Sequence, residues 1–256
     1  MLLPPVERIM YGPVRSRRLS RSLGINLLPT GAKICNMNCA YCQYGWTRGA
    51  SRNRDETGDW PAPSAVEAAV LNRLLRAAET NEIVDRLTIA GHGEPTLHPA
   101  FEEIATRVCA VRDRVAPGLP IAILSNSTTA SRAGVKRGLA MVDERYMKLD
   151  AGDPFTYARI NGPGTSIGSI VDALAALPSI IVQAMFVMQD GGEVDNSHDR
   201  AVNAWIAALE QVHAVGVHIY TLDRTPALAS LRRVPQRRLR EIAERVRAIQ
   251  VPAHVF

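Results

Sequence analysis

Three of the four cysteines fall within eight positions: Cys35, Cys39 and Cys42, in the segment ICNMNCAYCQYG. Thiolates are soft ligands that suit zinc or iron–sulfur clusters. As disulfide partners they would leave an odd thiol over, whereas clustered thiols in a reducing compartment usually bind metal. A structural zinc wants a fourth ligand at short spacing, and none of the 49 residues after Cys42 is His or Cys. A cubane held by three cysteines keeps one iron open, and an open iron can chelate amino and carboxylate groups. The spacing therefore predicts a three-cysteine [4Fe–4S] site. Cys109 sits at core spacing on a helical stretch and reads as a small buried residue.

A second segment, GHGEPTLHP at residues 91–99, contains Gly91, His92, Gly93 and Glu94. Glycines let backbone carbonyls approach a ligand closely, and a nearby carboxylate suits an ammonium. The plainer reading is a strand-to-helix turn with Pro95 at the helical entry. Ser125 and Asn126, then Lys148 and Asp150, stand at the ends of predicted strands. Hydroxyl, amide and carboxylate groups can each bind a polar ligand, and a lysine can pair with a carboxylate; helix capping and turn formation are the alternative. Gln183 interrupts an apolar strand and, if it points inward, needs a partner. Asp223 and Arg224 follow the sixth predicted strand, with a mutual ion pair as the alternative. The six histidines show no metal-ligand spacing, and none is assigned to catalysis.

The elements that must position these groups alternate. The 256 residues are 46% hydrophobic and 21% charged with a mean hydropathy of −0.04, which excludes a disordered tail, a fibre or a coiled coil. The longest apolar stretch, Ile180–Met188, is too short to span a bilayer and carries Gln183. The start, MLLPPVER, lacks a basic n-region and a long apolar run, so no secretory signal is read there and a cytoplasmic location is expected. Strands are predicted at 24–28, 84–90, 121–124, 145–149, 180–188 and 217–222. Helices are predicted at 65–80 (capped by Ser64, with Glu67 as capping-box partner), 99–115, 132–142, 166–177, 199–214 and 235–249. Six strand–helix units predict an α/β fold with a parallel sheet, a partial (β/α)6 TIM-like barrel rather than a closed eight-stranded one. One domain is expected over 1–256, with a basic extension at 1–23 and a helix and tail at 235–256. Ligands in such folds gather on the loops after the strands, where the cysteine and GHGEP segments lie.

With these residues in place, the sequence resembles the radical S-adenosylmethionine (SAM) enzymes, whose hallmark is a C-x3-C-x-aromatic-C loop after the first barrel strand; Tyr41 fills the aromatic place. Within that superfamily it resembles a largely uncharacterised branch of iron–sulfur oxidoreductases related to tRNA wyosine-type enzymes. It shares GPVxSRR at Gly12–Arg18, CNxxCxYCQYG, GxGEPTLHP, KLDA and IYTLDR, from Tyr11 to about Arg247. Ser20 departs from the pattern, since relatives often carry glycine there. The resemblance implies that Cys35, Cys39 and Cys42 ligate a [4Fe–4S] cluster whose fourth iron takes SAM. It implies that the Gly91–Gly93–Glu94 loop meets the SAM amino group and that Ser125, Asn126, Lys148 and Asp150 serve its ribose and carboxylate; the partner that an inward Gln183 needs would then be SAM or substrate. Tyr41 and the Ile219–Tyr220 strand end are placed against adenine, with core packing as the alternative. The implied reaction is one-electron cleavage of SAM to methionine and a 5′-deoxyadenosyl radical that removes hydrogen from a substrate, with a flavodoxin- or ferredoxin-type reductant.

Charge narrows the substrate class. Residues 1–60 hold nine Lys or Arg against four acids and residues 223–256 eight against three, while the centre carries the excess acid. Either the two basic ends flank an anionic substrate, a small acid or a tRNA, or a coding preference for arginine sets the balance, since only three of the thirty basic residues are lysine. A non-catalytic, metal- or cluster-bearing nucleic-acid-binding protein is the competing class, but it would not need the GHGEP loop or the β/α series. A simple electron carrier would ligate its cluster fully with cysteine.

Overall fold

The computed structural model describes residues 1–47 and 59–256; Arg48, Arg52 and Arg54 of the N-terminal basic run lie outside the described residues. A hairpin opens the chain, β1 (Met10–Ser16) antiparallel to β2 (Ser20–Ile25). Five parallel strands continue from β2: β3 (Arg86–Ile89), β4 (Ile121–Ser125), β5 (Glu144–Lys148), β6 (Ile180–Met185) and β8 (Gly216–Tyr220). The last strand, β10 (Ala253–Val255), adds in parallel to β8, so the eight-stranded sheet runs β1-β2-β3-β4-β5-β6-β8-β10. Its edges, β1 and β10, do not pair, which leaves the barrel open. A small ribbon, β7 (Val187–Gln189) with β9 (Leu231–Arg233), stands beside it.

The helices follow the strands in turn: α1 (Pro63–Glu79), α2 (Phe101–Val115), α3 (Ala133–Met141), α4 (Pro154–Asn161) and α5 (Ile167–Ala175), α6 (Asp199–Val212) and α7 (Gln236–Ala248). Each buries a helical stripe against one face of the sheet. In α1 this stripe is Val66, Val70, Leu74 and Ala77; in α6 it is Val202, Trp205, Leu209 and Val212. They meet Leu23, Ile25, Leu87, Ile89, Ile121, Ile123 and Val182, which alternate along the strands. Each such Leu or Ile contributes about 1.5–3 kcal/mol when fully buried. Trp205 also donates its indole N–H to the Leu149 carbonyl at 2.9 Å, fixing α6 to the end of β5.

The other face lines the barrel interior and is more polar. Ser22 and Thr88 bond to each other there at 2.5 Å, and Leu19 packs with Ala122, Leu124, Tyr146 and Ile181 in a separate small core. The register sets Lys148, Gln183 and His218 side by side across β5, β6 and β8. No helix among the described residues is long and apolar enough to cross a membrane.

The six strand–helix units stand where the alternation puts them, with several differences. The stretch read as a basic extension contains β1 and the start of β2, and the tail after α7 is the edge strand β10. Ser64 does not cap α1: Ala62 is the N-cap and Pro63 enters the first turn, where its missing N–H costs nothing. The helix placed at 99–115 begins at Phe101, after a separate 3₁₀ turn at Pro95–Leu97. The fourth helix, α4, falls between the predicted elements, and Asp153 caps it by accepting from the Thr156 N–H at 2.9 Å.

Ser20 holds φ at 53° in the β1–β2 turn, the left-handed region that glycine adopts freely. Ser20→Gly is therefore expected to stabilise the fold by about 0.5–1 kcal/mol, read as a higher urea midpoint; an unchanged or lower midpoint would show no strain at this turn. His218 is a second test. Burial, then the charges of Arg18, His254 and Arg86, pushes it down to about 4, whereas the unfolded residue takes its proton near 6.5. Its stabilising contribution is complete above about 6.5 and falls by up to about 3 kcal/mol as pH drops toward 4. Urea midpoints from pH 7 to 4 should show His218→Phe flattening this part of the profile; parallel profiles would contradict the assignment.

Candidate functional site

The cysteine loop leaves β2 at its C-terminal end and is held at three places. Asn26 begins it, its side chain bracing Leu28 through Nδ2–H to the Leu28 carbonyl at 3.0 Å and Oδ1 to the Leu28 N–H at 3.3 Å. The Ile34 carbonyl then accepts from the Glu94 N–H at 2.9 Å, and a Cβ on Gly93 would lie 1.6 Å from that same oxygen. Only glycine permits this approach. A Cβ on Gly91 would lie 2.2 Å from Asn26 Oδ1, so a side chain there would displace the Asn26 amide. Further along, the Asn38 and Ala40 N–H groups donate to the carbonyls of Asn161 and Ile160 at the end of α4, and the Leu228 N–H donates to the Ala40 carbonyl.

Cys35 and Cys39 are buried in this loop and Cys42 is half-buried. Asn126 Nδ2 approaches Cys35 Sγ at 3.6 Å, and Asn161 Nδ2 approaches Cys39 Sγ at 3.4 Å. Burial, with Cys39 adding, pushes the Cys35 thiol up to about 12. Burial also raises Cys39, against the pull of Lys148 and of the hydrogen bond from Asn161. These thiols ionise when a bound metal supplies the compensating charge. Among the described residues no three His, Cys, Asp or Glu side chains form a single-ion site; thiolates on a cubane each take a different iron and need no such convergence. Soft, buried donors with amide N–H groups beside their sulfurs fit an iron–sulfur cluster.

Glu94 is turned inward. Its Oε1 accepts from the Thr96 N–H at 3.1 Å, the Thr96 hydroxyl at 2.5 Å and the Ser125 hydroxyl at 2.9 Å, and its Oε2 accepts from the Asn126 N–H at 2.5 Å. Burial raises its pKa while these bonds pull it back. The carboxylate thus ties the ends of β3 and β4 together, and the loop's backbone is what it offers a ligand. Asn126 extends the tie: its Nδ2 donates to Asn36 Oδ1 at 2.9 Å, and its Oδ1 accepts from the Thr128 N–H at 3.0 Å. His92 accepts from the Val6 N–H at Nδ1 and bonds the Pro29 carbonyl at Nε2, so it joins the N-terminal segment to the barrel.

A second group lies on the interior face. Tyr41 donates its hydroxyl to Asp150 Oδ2, which also accepts from Asn161 Nδ2 at 2.7 Å; Asp150 Oδ1 accepts from the Met185 N–H at 2.9 Å and faces Lys148 Nζ at 3.5 Å. Lys148 lies 4.9 Å from the Tyr41 ring centroid and 3.3 Å from the Tyr220 hydroxyl. Burial opposes its charge most strongly, but Asp150, with Tyr220 and Cys39 adding, outweighs that and raises its pKa, so Lys148 stays an ammonium. Gln183 faces inward, with Oε1 accepting from Arg18 Nη1 at 3.0 Å. Asp223 does not pair with Arg224; it meets Arg17 at 3.4 Å and Arg233 at 3.1 Å, all three exposed.

The structure therefore brings together Cys39, Tyr41, Lys148 and Asp150 in one network through Asn161, and Cys35, Gly93, Glu94, Ser125 and Asn126 in an adjoining one. Cys42 is tied to the loop by its N–H to the Cys39 carbonyl. Two members escape sequence reasoning, Asn161 and Arg18. The Asn161–Gly162 pair marks a helix end and Arg18 lies in the SRR turn, but neither signal names a partner.

Cysteines on the first βα loop of an open parallel barrel define an iron–sulfur protein of the partial-barrel class. The sequence profile of the Radical SAM superfamily matches residues 31–202, and the chain belongs to that superfamily. Members of that superfamily bind a [4Fe–4S] cluster and SAM as cofactors, and the match points to an enzyme. A UPF0026 protein of Helicobacter pylori is 30% identical over 84% of this chain and 67% of its own length. Another, from Methanocaldococcus jannaschii, is 36% identical over 60% of this chain, which spans only 44% of that relative. Among solved structures, a radical SAM methyltransferase from Sphaerobacter thermophilus shares the fold with a TM-score of 0.64 at 16% identity, over 92% of this chain and 65% of its own. TYW1 with a lysine-pyruvate adduct bound does so with a TM-score of 0.63 at 16% identity, over 89% of this chain and 73% of its own.

Gly93→Ala tests the clamp. It is expected to cost more than about 3 kcal/mol, because backbone must move, and to lower iron and sulfide bound after anaerobic reconstitution. Gly134→Ala in α3, where a Cβ meets nothing closer than 3.5 Å, should keep full cluster content. Equal loading of both variants would contradict the clamp.

Proposed function

We propose that this chain reductively cleaves SAM on a [4Fe–4S] cluster held by Cys35, Cys39 and Cys42 and uses the resulting 5′-deoxyadenosyl radical to take hydrogen from an anionic substrate, as an oxidoreductase. The observation that carries this reading is the three-cysteine loop clamped at the C-terminal mouth of an open barrel by the Ile34 carbonyl on Gly93 and Glu94. When bound, the cluster supplies one electron and an open iron, and the protein supplies position and shielding.

The chain's own residues divide this work. The backbone of residues 91–93 lies beside the cysteine loop and offers carbonyls to an ammonium. Ser125 and Asn126 are held at the same level by Glu94. Lys148, kept charged by Asp150, suits a carboxylate. Tyr41 is fixed by its bond to Asp150, so its ring can serve as a wall beside the cluster. The buried Cys35 and Cys39 surroundings exclude water from the reacting centre.

An anionic substrate is supported by the meeting of the two basic ends. Exposed Asp223 draws Arg17 of the β1–β2 turn and Arg233 of β9 together where the sheet is open. Three cations, including nearby Arg224, outnumber that one carboxylate. A flavodoxin- or ferredoxin-type protein is the proposed reductant.

The test is product analysis. Anaerobically reconstituted protein with dithionite and SAM is expected to release 5′-deoxyadenosine and methionine. Cys35→Ala, Cys39→Ala and Cys42→Ala should each fall to background, and Cys109→Ala should match the unsubstituted chain, since Cys109 lies on α2 with its thiol toward the Met141 carbonyl. Cleavage by any of the three loop variants, or none by the unsubstituted chain, would refute the reading.

A further inference from the structure

Among the described residues, Arg18 differs from the other half-buried arginines in having no carboxylate partner. The β1–β2 turn folds across the opening of the sheet: Leu19 enters the small interior core, Arg17 reaches Asp223 beyond β8, and Arg18 lies with its guanidinium carbon 3.9 Å from the Tyr220 ring centroid. The guanidinium's one hydrogen bond among the described residues is to Gln183 Oε1 at 3.0 Å. The acids of the interior face are already engaged, Asp150 by Tyr41, Asn161, Met185 and Lys148, and Glu144 by Arg86 and Tyr146. By contrast Arg86, Arg112 and Arg238 are each matched with a carboxylate.

Gln183 supplies an independent observation. The residue is 5% exposed, its Oε1 is taken by Arg18 and approached by the Tyr220 hydroxyl at 3.5 Å, and its Nε2 has no partner. The amide cannot be turned to relieve this, because a guanidinium has no acceptor to offer an NH2 group. A buried donor left unmade is costly. Beside it stands a guanidinium with free N–H groups, stacked on an aromatic ring and so held in one orientation. The neighbouring cation, Lys148, is satisfied by Asp150. The interior therefore keeps one surplus positive charge and one surplus amide donor at the same place.

We infer that Arg18 and the Gln183 amide form an oxyanion subsite inside the barrel that holds the acid group, carboxylate or phosphate, of the substrate. This rests on the SAM-cleaving reading above and gives its anionic substrate a point of attachment. A guanidinium fork and an adjacent N–H match two oxygens of either group, and the Tyr220 stack and Gln183 bond preorganise the fork, which lowers the ordering cost of binding. Because Arg18 comes from the N-terminal turn and the cysteines from the loop after β2, the acid group and the cluster are held by different segments of the chain, with Lys148 and Tyr41 between them.

The probes are inorganic phosphate and, separately, malonate, titrated calorimetrically into the cluster-loaded protein at an ionic strength fixed with chloride. Saturable binding of at least one is expected, weakened about tenfold or more by Arg18→Met and partly kept by Arg18→Lys. Which probe binds distinguishes a phosphoryl from a carboxylate substrate. Gln183→Glu gives Arg18 an internal carboxylate, so it should abolish binding and raise the thermal midpoint measured without anion, which keeps the test decisive if Arg18→Met does not fold. Absence of saturable binding by the unsubstituted chain, or equal affinity in Arg18→Met or Gln183→Glu, overturns the subsite. SAM cleavage by the unsubstituted chain is measured alongside. Cleavage without anion binding refutes the subsite and spares the parent reading, whereas anion binding without cleavage refutes the parent reading and spares the site.

Discussion

The carbonyl oxygen of Ile34 occupies the space in which a side chain at residue 93 would begin. That contact seats loop backbone directly on the end of β3 and lets the Glu94 N–H close the bond. From there the order spreads through Glu94, whose carboxylate gathers Thr96, Ser125 and Asn126, and through Asn126 to the sulfur of Cys35. A buried carboxylate with so many donors remains stable only while all of them are present. The ends of β3 and β4 and the first turn of the cysteine loop therefore behave as one rigid unit, which is what a cluster with an exposed iron needs from its support.

The interior face is governed by charge. Asp150 is almost wholly buried yet accepts from Tyr41, Asn161 and the Met185 N–H and faces Lys148, so its desolvation is offset by good geometry on both oxygens. This pairing also holds Lys148 protonated. The chain of contacts runs on from Lys148 to Tyr220, Gln183 and Arg18, and it ends with an unmatched cation and an unmatched amide. Natural interiors seldom leave such groups unpaired without a ligand to complete them.

The sequence discloses the β/α alternation because each helix carries its own apolar stripe and each central strand its own apolar run. The cysteine loop is equally plain, since its chemistry lies in spacing alone. Strands β1, β9 and β10 are hidden, as three to seven residues become strands only through the partners they find. Ser64 misleads because Pro63 can open a helix without any side-chain cap. Ser20 is informative in the opposite sense: its departure from glycine falls where φ is positive. The roles hardest to read were those set by distant partners. Glu94 meets residues 125 and 126, and Arg18 meets Gln183 across 165 positions of chain, so no local pattern announces either contact.

The claim on which the account rests is that the clamped loop presents a cluster with one iron open to SAM. Electron paramagnetic resonance of the anaerobically reconstituted, dithionite-reduced protein, recorded with and without SAM, tests it most directly. A [4Fe–4S]⁺ signal whose g values change when SAM is added is expected. A signal indifferent to SAM, or bound zinc with no cluster signal, would contradict it.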